Sequence, residues 1–226
     1  MKIVFATSEA NPYIKSGGLA DVLGSLPKTL VQKGHECIVV LPKYQDMKLA
    51  DTIEYVTSYD IWVGWRKCYC GVFKAEYDGV TYYFIDNEQY FRRPGLYGYD
   101  DDNERFAFFD FAVLELLSHI DVKPDVLSLH DWQTAMIAAL YKERYAYYEY
   151  YHDIKITFTI HNIAYQGKCD PSLLSDYFGL DNYLYYNGNC RNDGCFNMMK
   201  AAIFYSDAIT TVSPTYAQEI LTDSFG

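Results

Sequence analysis

Short, continuously apolar runs alternate along this chain with longer stretches whose apolar residues recur every three to four positions. The runs at 2–7, 36–41, 126–130, 155–160 and 208–212 read as strands buried on both faces. Between them, 18–33, 103–118, 132–148 and 196–206 carry helical spacing, and Gly34 closes the first. Strands without polar alternation need cover on both sides, and helices placed between them supply it. The pattern therefore predicts an α/β fold, a Rossmann-like parallel sheet with helices on both faces. Pro27 falls inside the first helix and predicts a kink or a break there.

One section departs from this alternation. Residues 60–76 and 80–86 are two strand-like runs joined at Asp78-Gly79, a hairpin turn signal, and a polar loop follows over 87–102. They are expected to form an antiparallel hairpin insertion at one sheet edge. No repeat or Pro/Ser linker divides the 226 residues, so residues 1–226 are read as a single domain.

Functional residues gather where strands hand over to helices. After the first strand comes Lys15-Ser16-Gly17-Gly18-Leu19-Ala20-Asp21, and then the first helix. Free backbone N–H groups and the positive end of a helix dipole converge at such a junction, which suits a phosphate or diphosphate. Gly17 and Gly18 let a ligand approach the backbone, and Lys15 adds a full positive charge. An ordinary glycine-rich turn with a solvated lysine reads equally well on this stretch alone.

In an open parallel sheet, ligands bind beyond the carboxyl ends of the strands. Three such ends carry polar groups: Glu9 after the first strand, His130-Asp131-Trp132-Gln133 after the run 126–130, and His161-Asn162 after the run 155–160. His161 and Asn162 suit sugar hydroxyls. Asp131 either accepts hydrogen bonds from an incoming hydroxyl or caps a helix beginning at Trp132. Lys15 and the glycine N–H groups would neutralise a leaving diphosphate.

Other classes are disfavoured. The formal charge of −11 argues against nucleic acid or an anionic membrane as partner. No segment is long and apolar enough for a signal peptide or a membrane span. The six cysteines lack zinc-type spacing and read as reduced thiols of a cytoplasmic protein, mostly packing. There is no GxGxxG and no P-loop, which weakens the oxidoreductase and nucleotidase readings. Asp100-Asp101-Asp102 contains an Asp-x-Asp, read as solvated loop and not as a metal site. Of the 24 tyrosines, six cluster between Tyr141 and Tyr151, and most of these are expected to pack.

Six segments together resemble the bacterial glycogen synthases and plant starch synthases. They are Ser8-Glu9 with Lys15 to Val22; Leu41-Pro42-Lys43-Tyr44; Arg93-Pro94-Gly95-Leu96-Tyr97-Gly98; His130-Asp131-Trp132-Gln133-Thr134; Thr159-Ile160-His161-Asn162 with Tyr165-Gln166-Gly167; and Thr211-Val212-Ser213-Pro214-Thr215-Tyr216-Ala217. The resemblance implies the N-terminal lobe of a GT-B glycosyltransferase that uses neither metal nor cofactor. Such an enzyme transfers glucose with retention from ADP-glucose to the non-reducing end of an α-1,4-glucan. It implies that Lys15, Gly17 and Gly18 bind the donor diphosphate, and that His161 sits by the transferred glucose. Glu9, Tyr97, Asp131 and Asn162 would lie on the acceptor side, with His161 and Asp131 as the catalytic pair. All matched segments belong to the family's N-terminal lobe, so the C-terminal nucleotide-binding lobe is expected to be absent from this chain, which would then not transfer glucose alone. The alternative is a non-catalytic glucan-binding or regulatory module derived from such an enzyme.

Overall fold

A computed structural model describes residues 1–222 of the protein. In chain order the elements are β1 (Lys2–Ala6), α1 (Gly18–Gln32), β2 (Glu36–Pro42), β3 (Glu54–Val63), β4 (Arg66–Tyr77), β5 (Val80–Asp86), α2 (Glu88–Phe91) and α3 (Asp102–His119). They continue with β6 (Val126–His130), α4 (Met136–Leu140), β7 (Lys155–Ile160), β8 (Lys168–Cys169), α5 (Leu173–Phe178), α6 (Tyr183–Tyr186), β9 (Arg191–Asn192), β10 (Cys195–Asn197), α7 (Met198–Tyr205), β11 (Ala208–Thr211) and α8 (Pro214–Glu219). The main sheet has eight strands in the order β11-β7-β6-β1-β2-β5-β4-β3. From β11 to β5 every neighbouring pair is parallel, while β5-β4 and β4-β3 are antiparallel.

This is the α/β architecture expected from the alternation. From Cys37 to Pro42 every residue of β2 is buried, as are Ile3 to Ala6 in β1, so both sheet faces are covered there. The chain leaves β1 towards β2 on one side and returns later to lay β6 on the other. A switch point therefore opens a crevice at the carboxyl ends of β1 and β6. Helix α3 is enclosed almost all round, with every residue from Arg105 to Leu114 buried. An element without a solvent face is a core element.

The structure refines the sequence reading at four places. The run 60–76 is not one strand: a turn at Gly64 and Trp65 splits it, and pairing reaches back to Glu54. The insertion is thus a three-stranded meander that extends the main sheet. Its second turn is the expected one, with Asp78 and Gly79 at φ 52° and 78°, the positive values that a tight hairpin turn favours. Helix α1 continues through Pro27 without a break. The stretch 132–148 is a composite of a 3₁₀ turn (Trp132–Thr134), α4 and a π-helical segment (Tyr141–Tyr145). Tyrosine hydroxyls account for the irregular end: Tyr141 donates to the Tyr151 carbonyl at 2.8 Å, Tyr150 to Leu117 at 2.6 Å and Tyr151 to Leu114 at 2.9 Å. These bonds dock the segment on the carboxyl half of α3. Finally, β8, β10 and β9 form a small antiparallel sheet that periodicity did not reveal, because its strands are two or three residues long.

The β3–β4 turn is fixed by contact with α5. Gly64 sits at φ +58°, and a Cβ there would lie 1.9 Å from the Asp176 carbonyl oxygen. Trp65 Nε1 and Arg66 Nη2 both donate to the Asp176 carboxylate, at 2.7 and 2.9 Å. Gly64→Ala should therefore lose at least about 2 kcal/mol of stability, the class of loss seen when backbone strain and a clash coincide. Urea unfolding checks this, and an unchanged midpoint would mean that the turn does not rest on Asp176.

Candidate functional site

The three strand ends meet in one cavity. Beyond β1 the chain stays buried through Thr7, Ser8 and Glu9. The Glu9 carboxylate turns back to the start of α1, where it accepts from the Ser16 and Gly17 N–H groups and from the Ser16 hydroxyl at 3.1 Å. Part of the donor set at this helix start is therefore already met by a carboxylate from within the protein. The N-cap residue, Gly17, has no side chain to cap α1, and a Cβ at Gly18 would touch nothing within 4 Å. The first turn stays open at Gly18. Lys15 lies elsewhere: its ammonium contacts both Asp21 carboxylate oxygens, at 2.7 and 2.6 Å, with both side chains about half exposed. It does not line the cavity.

Asp131 joins the ends of β6 and β7. Its Oδ1 accepts the His161 N–H at 2.7 Å and the Asn162 N–H at 3.2 Å, and its own N–H donates to the Thr159 carbonyl at 3.1 Å. The backbone at Asp131 has φ 59° and ψ −179°, a region that non-glycine residues occupy only where surrounding contacts enforce it. Of the two roles the sequence left open, capping at Trp132 is not observed. Burial raises the Asp131 carboxyl to about 6, against the lowering effect of the two backbone N–H groups and with a smaller upward push from Glu9.

His161 is held from behind by His130, whose Nδ1 lies 2.9 Å from His161 Nε2. The other ring nitrogen of His130 is 3.1 Å from the Ser128 hydroxyl. Burial lowers His161 to about 4 and pushes His130 well down, with His161 adding to the effect. Both rings are therefore neutral at pH 7, one as donor and the other as acceptor across their shared contact. Tyr97 reaches the cavity from the 93–99 loop and shares a 2.7 Å hydrogen bond with the Ser8 hydroxyl. Burial and the nearby Glu9 raise its phenol far above the ordinary tyrosine value.

The cavity encloses about 850 Å³. Glu9, Gly17, Gly18, Tyr97, Asp131, His161 and Asn162 all lie on its wall. Of the residues that the sequence resemblance gave a donor, acceptor or catalytic role, Lys15 alone is outside. The wall also holds residues to which sequence reasoning gave no role, chiefly Trp132, Tyr165 and Asp102. Trp132 stands edge-on to Phe106 with ring centroids 5.3 Å apart. Gly167 makes room for it: at φ +65°, a Cβ would come within 2.8 Å of Trp132 Cε3. A smaller cavity of about 360 Å³ adjoins and shares Asp102, Trp132 and Tyr165.

The solvated-loop reading of Asp100-Asp101-Asp102 also needs correction. Asp101 forms a two-point pair with Arg93, both contacts at 2.6 Å. Asp102 accepts from Arg105 Nη1 at 2.9 Å and from the Gly98 N–H at 2.8 Å. Among the described residues no group of three or more His, Cys, Asp or Glu side chains is arranged to hold a metal ion. All six cysteines are free. Among those residues, too, no helix is long and apolar enough to cross a membrane.

The family profile of the starch synthase catalytic domain matches residues 2–226. The chain belongs to that family. It is 51% identical over 229 residues to the glycogen synthase of Clostridium botulinum (strain Eklund 17B / Type B), and 51% identical over 228 residues to that of Streptococcus agalactiae serotype Ia. Each alignment covers all of this chain and 48% of the relative, so the chain spans about half the length of the curated relatives it matches. Among solved structures it resembles the catalytic domain of Arabidopsis thaliana starch synthase IV, bound to ADP and acarbose, with a TM-score of 0.91 and 35% identity. That match covers all of this chain and 47% of the other. Sucrose-phosphate synthase from Thermosynechococcus elongatus, at 9% identity and a TM-score of 0.54 over 97% of this chain and 44% of the other, shares the fold alone. The α/β lobe of a GT-B glycosyltransferase expected from the starch synthase motifs is thus the architecture found.

The buried ionisable groups of this starch synthase lobe make its stability depend on pH in opposing ways. Unfolded histidines take up protons near pH 6.5, which folded His161 resists until about pH 4. The folded state therefore loses stability as pH falls through that window, and His130 adds to the loss. Asp131 acts the other way. Folded, it takes up its proton near pH 6, whereas an unfolded carboxyl waits until about 3.9, so falling pH favours the folded state there. Asp131→Asn keeps an oxygen for the two backbone N–H groups but removes the opposing effect. The variant should lose thermal stability more steeply than the parent between pH 6.5 and 4. A shallower slope in a melting series would show that Asp131 is not the counterweight.

Proposed function

We propose that this chain is the N-terminal, acceptor-side lobe, residues 1–226, of a retaining, metal-independent glucosyltransferase. That enzyme would transfer glucose from ADP-glucose to the non-reducing end of an α-1,4-glucan, as a cytoplasmic glycogen or starch synthase. The observation that carries the reading is the convergence of Glu9, Tyr97, Asp131, His161 and Asn162 on one cavity in a chain 51% identical to a glycogen synthase. The second, nucleotide-binding lobe would come from the remaining half of the relatives' length.

The chemistry follows from the wall. Above pH 6 the Asp131 carboxyl is ionised, and only Oδ1 is engaged by the two backbone N–H groups. Oδ2 is left to accept a hydrogen bond from the attacking hydroxyl. Neutral His161 offers its second ring nitrogen to the transferred glucose. Glu9 retains lone-pair capacity beyond its three protein donors, and Asn162 and Tyr97 complete the acceptor side. The leaving diphosphate is assigned to the open first turn of α1 at Gly17 and Gly18. Lys15 joins it by exchanging Asp21 for phosphate. An exposed pair of this kind contributes only about 0–1 kcal/mol, so the exchange costs little.

A second reading, glucan binding without transfer, is supported by one feature: Glu9 fills part of the helix-start donor set while Lys15 is held by Asp21. Two measurements separate the readings. Titration calorimetry on this chain should show maltoheptaose binding and weak ADP binding; micromolar ADP affinity with no glucan response would reverse the assigned faces. Joined to the second half of the Clostridium botulinum relative, the chain should extend maltoheptaose with ADP-glucose. There, Lys15→Ala should slow transfer far more than it weakens glucan binding, and Asp131→Asn should abolish the rise in rate near pH 6. A folded chimaera that binds glucan and never extends it supports the binding module instead.

A further inference from the structure

Arg105, on the first turn of α3, is fully enclosed, with 0% of its side chain exposed. Its Nη1 donates to the Leu96 carbonyl at 3.1 Å and to Asp102 Oδ1 at 2.9 Å. Nε and Nη2 have no hydrogen-bond partner among the described residues. Aromatic rings take their place: the guanidinium carbon lies 5.1 Å from the Phe91 and Phe106 centroids, 5.2 Å from Tyr99 and 5.9 Å from Tyr44. A buried guanidinium with two orphaned donors is a poor device for stability, because an apolar side chain of similar volume fills such a space at lower desolvation cost.

What the charge does supply is geometry. The second oxygen of Asp102 receives the Gly98 N–H at 2.8 Å. Arg105 and its carboxylate therefore grip the loop at Leu96 and at Gly98, on either side of Tyr97. The Tyr97 hydroxyl in turn meets Ser8, the neighbour of Glu9. Asp102 lies on the wall of both cavities, so the grip is part of the cleft.

We propose that Arg105 is a positioning residue, holding Leu96 directly and Gly98 through Asp102, and so setting Tyr97 on the cavity wall. The loop-fixing role stands on geometry alone; its consequence for glucan binding rests on the function proposed above.

Amide hydrogen exchange on the whole chain tests it, with an internal control. The Gly95 N–H belongs to the same loop but donates to Asp46 at 2.8 Å, outside the grip of Arg105. In Arg105→Met, exchange at Gly98 should quicken by about tenfold or more while Gly95 is unchanged. Arg105→Lys, which keeps the charge and one donor to the carboxylate, should recover part of the protection. Unchanged exchange at Gly98, or equal acceleration at Gly95 and Gly98, overturns the proposal, the second because it marks general loosening. If Arg105→Met does not fold, the lysine variant decides the matter, since it should show the same selectivity at smaller size and equal protection at both glycines would refute it. In parallel, maltoheptaose affinity should fall at least about fivefold in Arg105→Met. If the parent binds no glucan, the functional reading fails while the exchange result still decides the role of Arg105.

Discussion

The cleft depends on one carboxylate oxygen. Asp131 Oδ1 takes the backbone N–H groups of His161 and Asn162, two donors that a parallel strand leaves unpaired as it ends. By receiving both, it ties the end of β7 to the end of β6 and sets the direction in which the next residues leave the sheet. The strained backbone at Asp131 persists because this bridge and the Thr134 bonds to residues 130 and 131 over-determine it. Without the bridge, His161 would lose its alignment with His130, and Asn162 its place on the wall.

A second layer keeps those groups still. The hydroxyl of Tyr216 on α8 accepts the Ile163 N–H at 3.0 Å, just past Asn162. Gln166 spans from the Ile163 carbonyl to Asn197, the residue that caps α7. The 93–99 loop is tied by the Arg93–Asp101 pair, by the Asp46 contact at Gly95 and, near its far end, by Asp102 at Gly98. The walls of the cleft are thus built from irregular backbone whose polar groups are met by side chains arriving from distant parts of the chain.

That layering explains what was legible in the sequence. The strands β1, β2, β6 and β7 and the helix α3 were readable because burial on all sides writes a dense apolar signature. The gathering of Glu9, Asp131, His161 and Asn162 followed from a topological rule about strand ends, which needs only the order of elements. The splitting of 60–76 was not readable: Gly64 looks like any glycine in a strand until Asp176, more than a hundred residues later, packs against it. The two-residue strands β8 and β9 carry no periodicity at all. Lys15 illustrates a different limit, since charge beside a glycine turn says nothing about which nearby carboxylate will claim it. Asp102 and Arg105 were hidden because their partners, Gly98 four residues back and Leu96 nine residues back, are met only across a folded loop, not in local pattern.

The neutral imidazole pair has an electrostatic consequence. With His130 and His161 uncharged, the formal charges on the wall of the large cavity come from Glu9, Asp102 and Asp131, all of one sign. A polyanion entering such a chamber would raise its self-repulsion, whereas an uncharged polyol would not. An anion held there would need cations brought from outside the chamber, such as a lysine freed from its carboxylate.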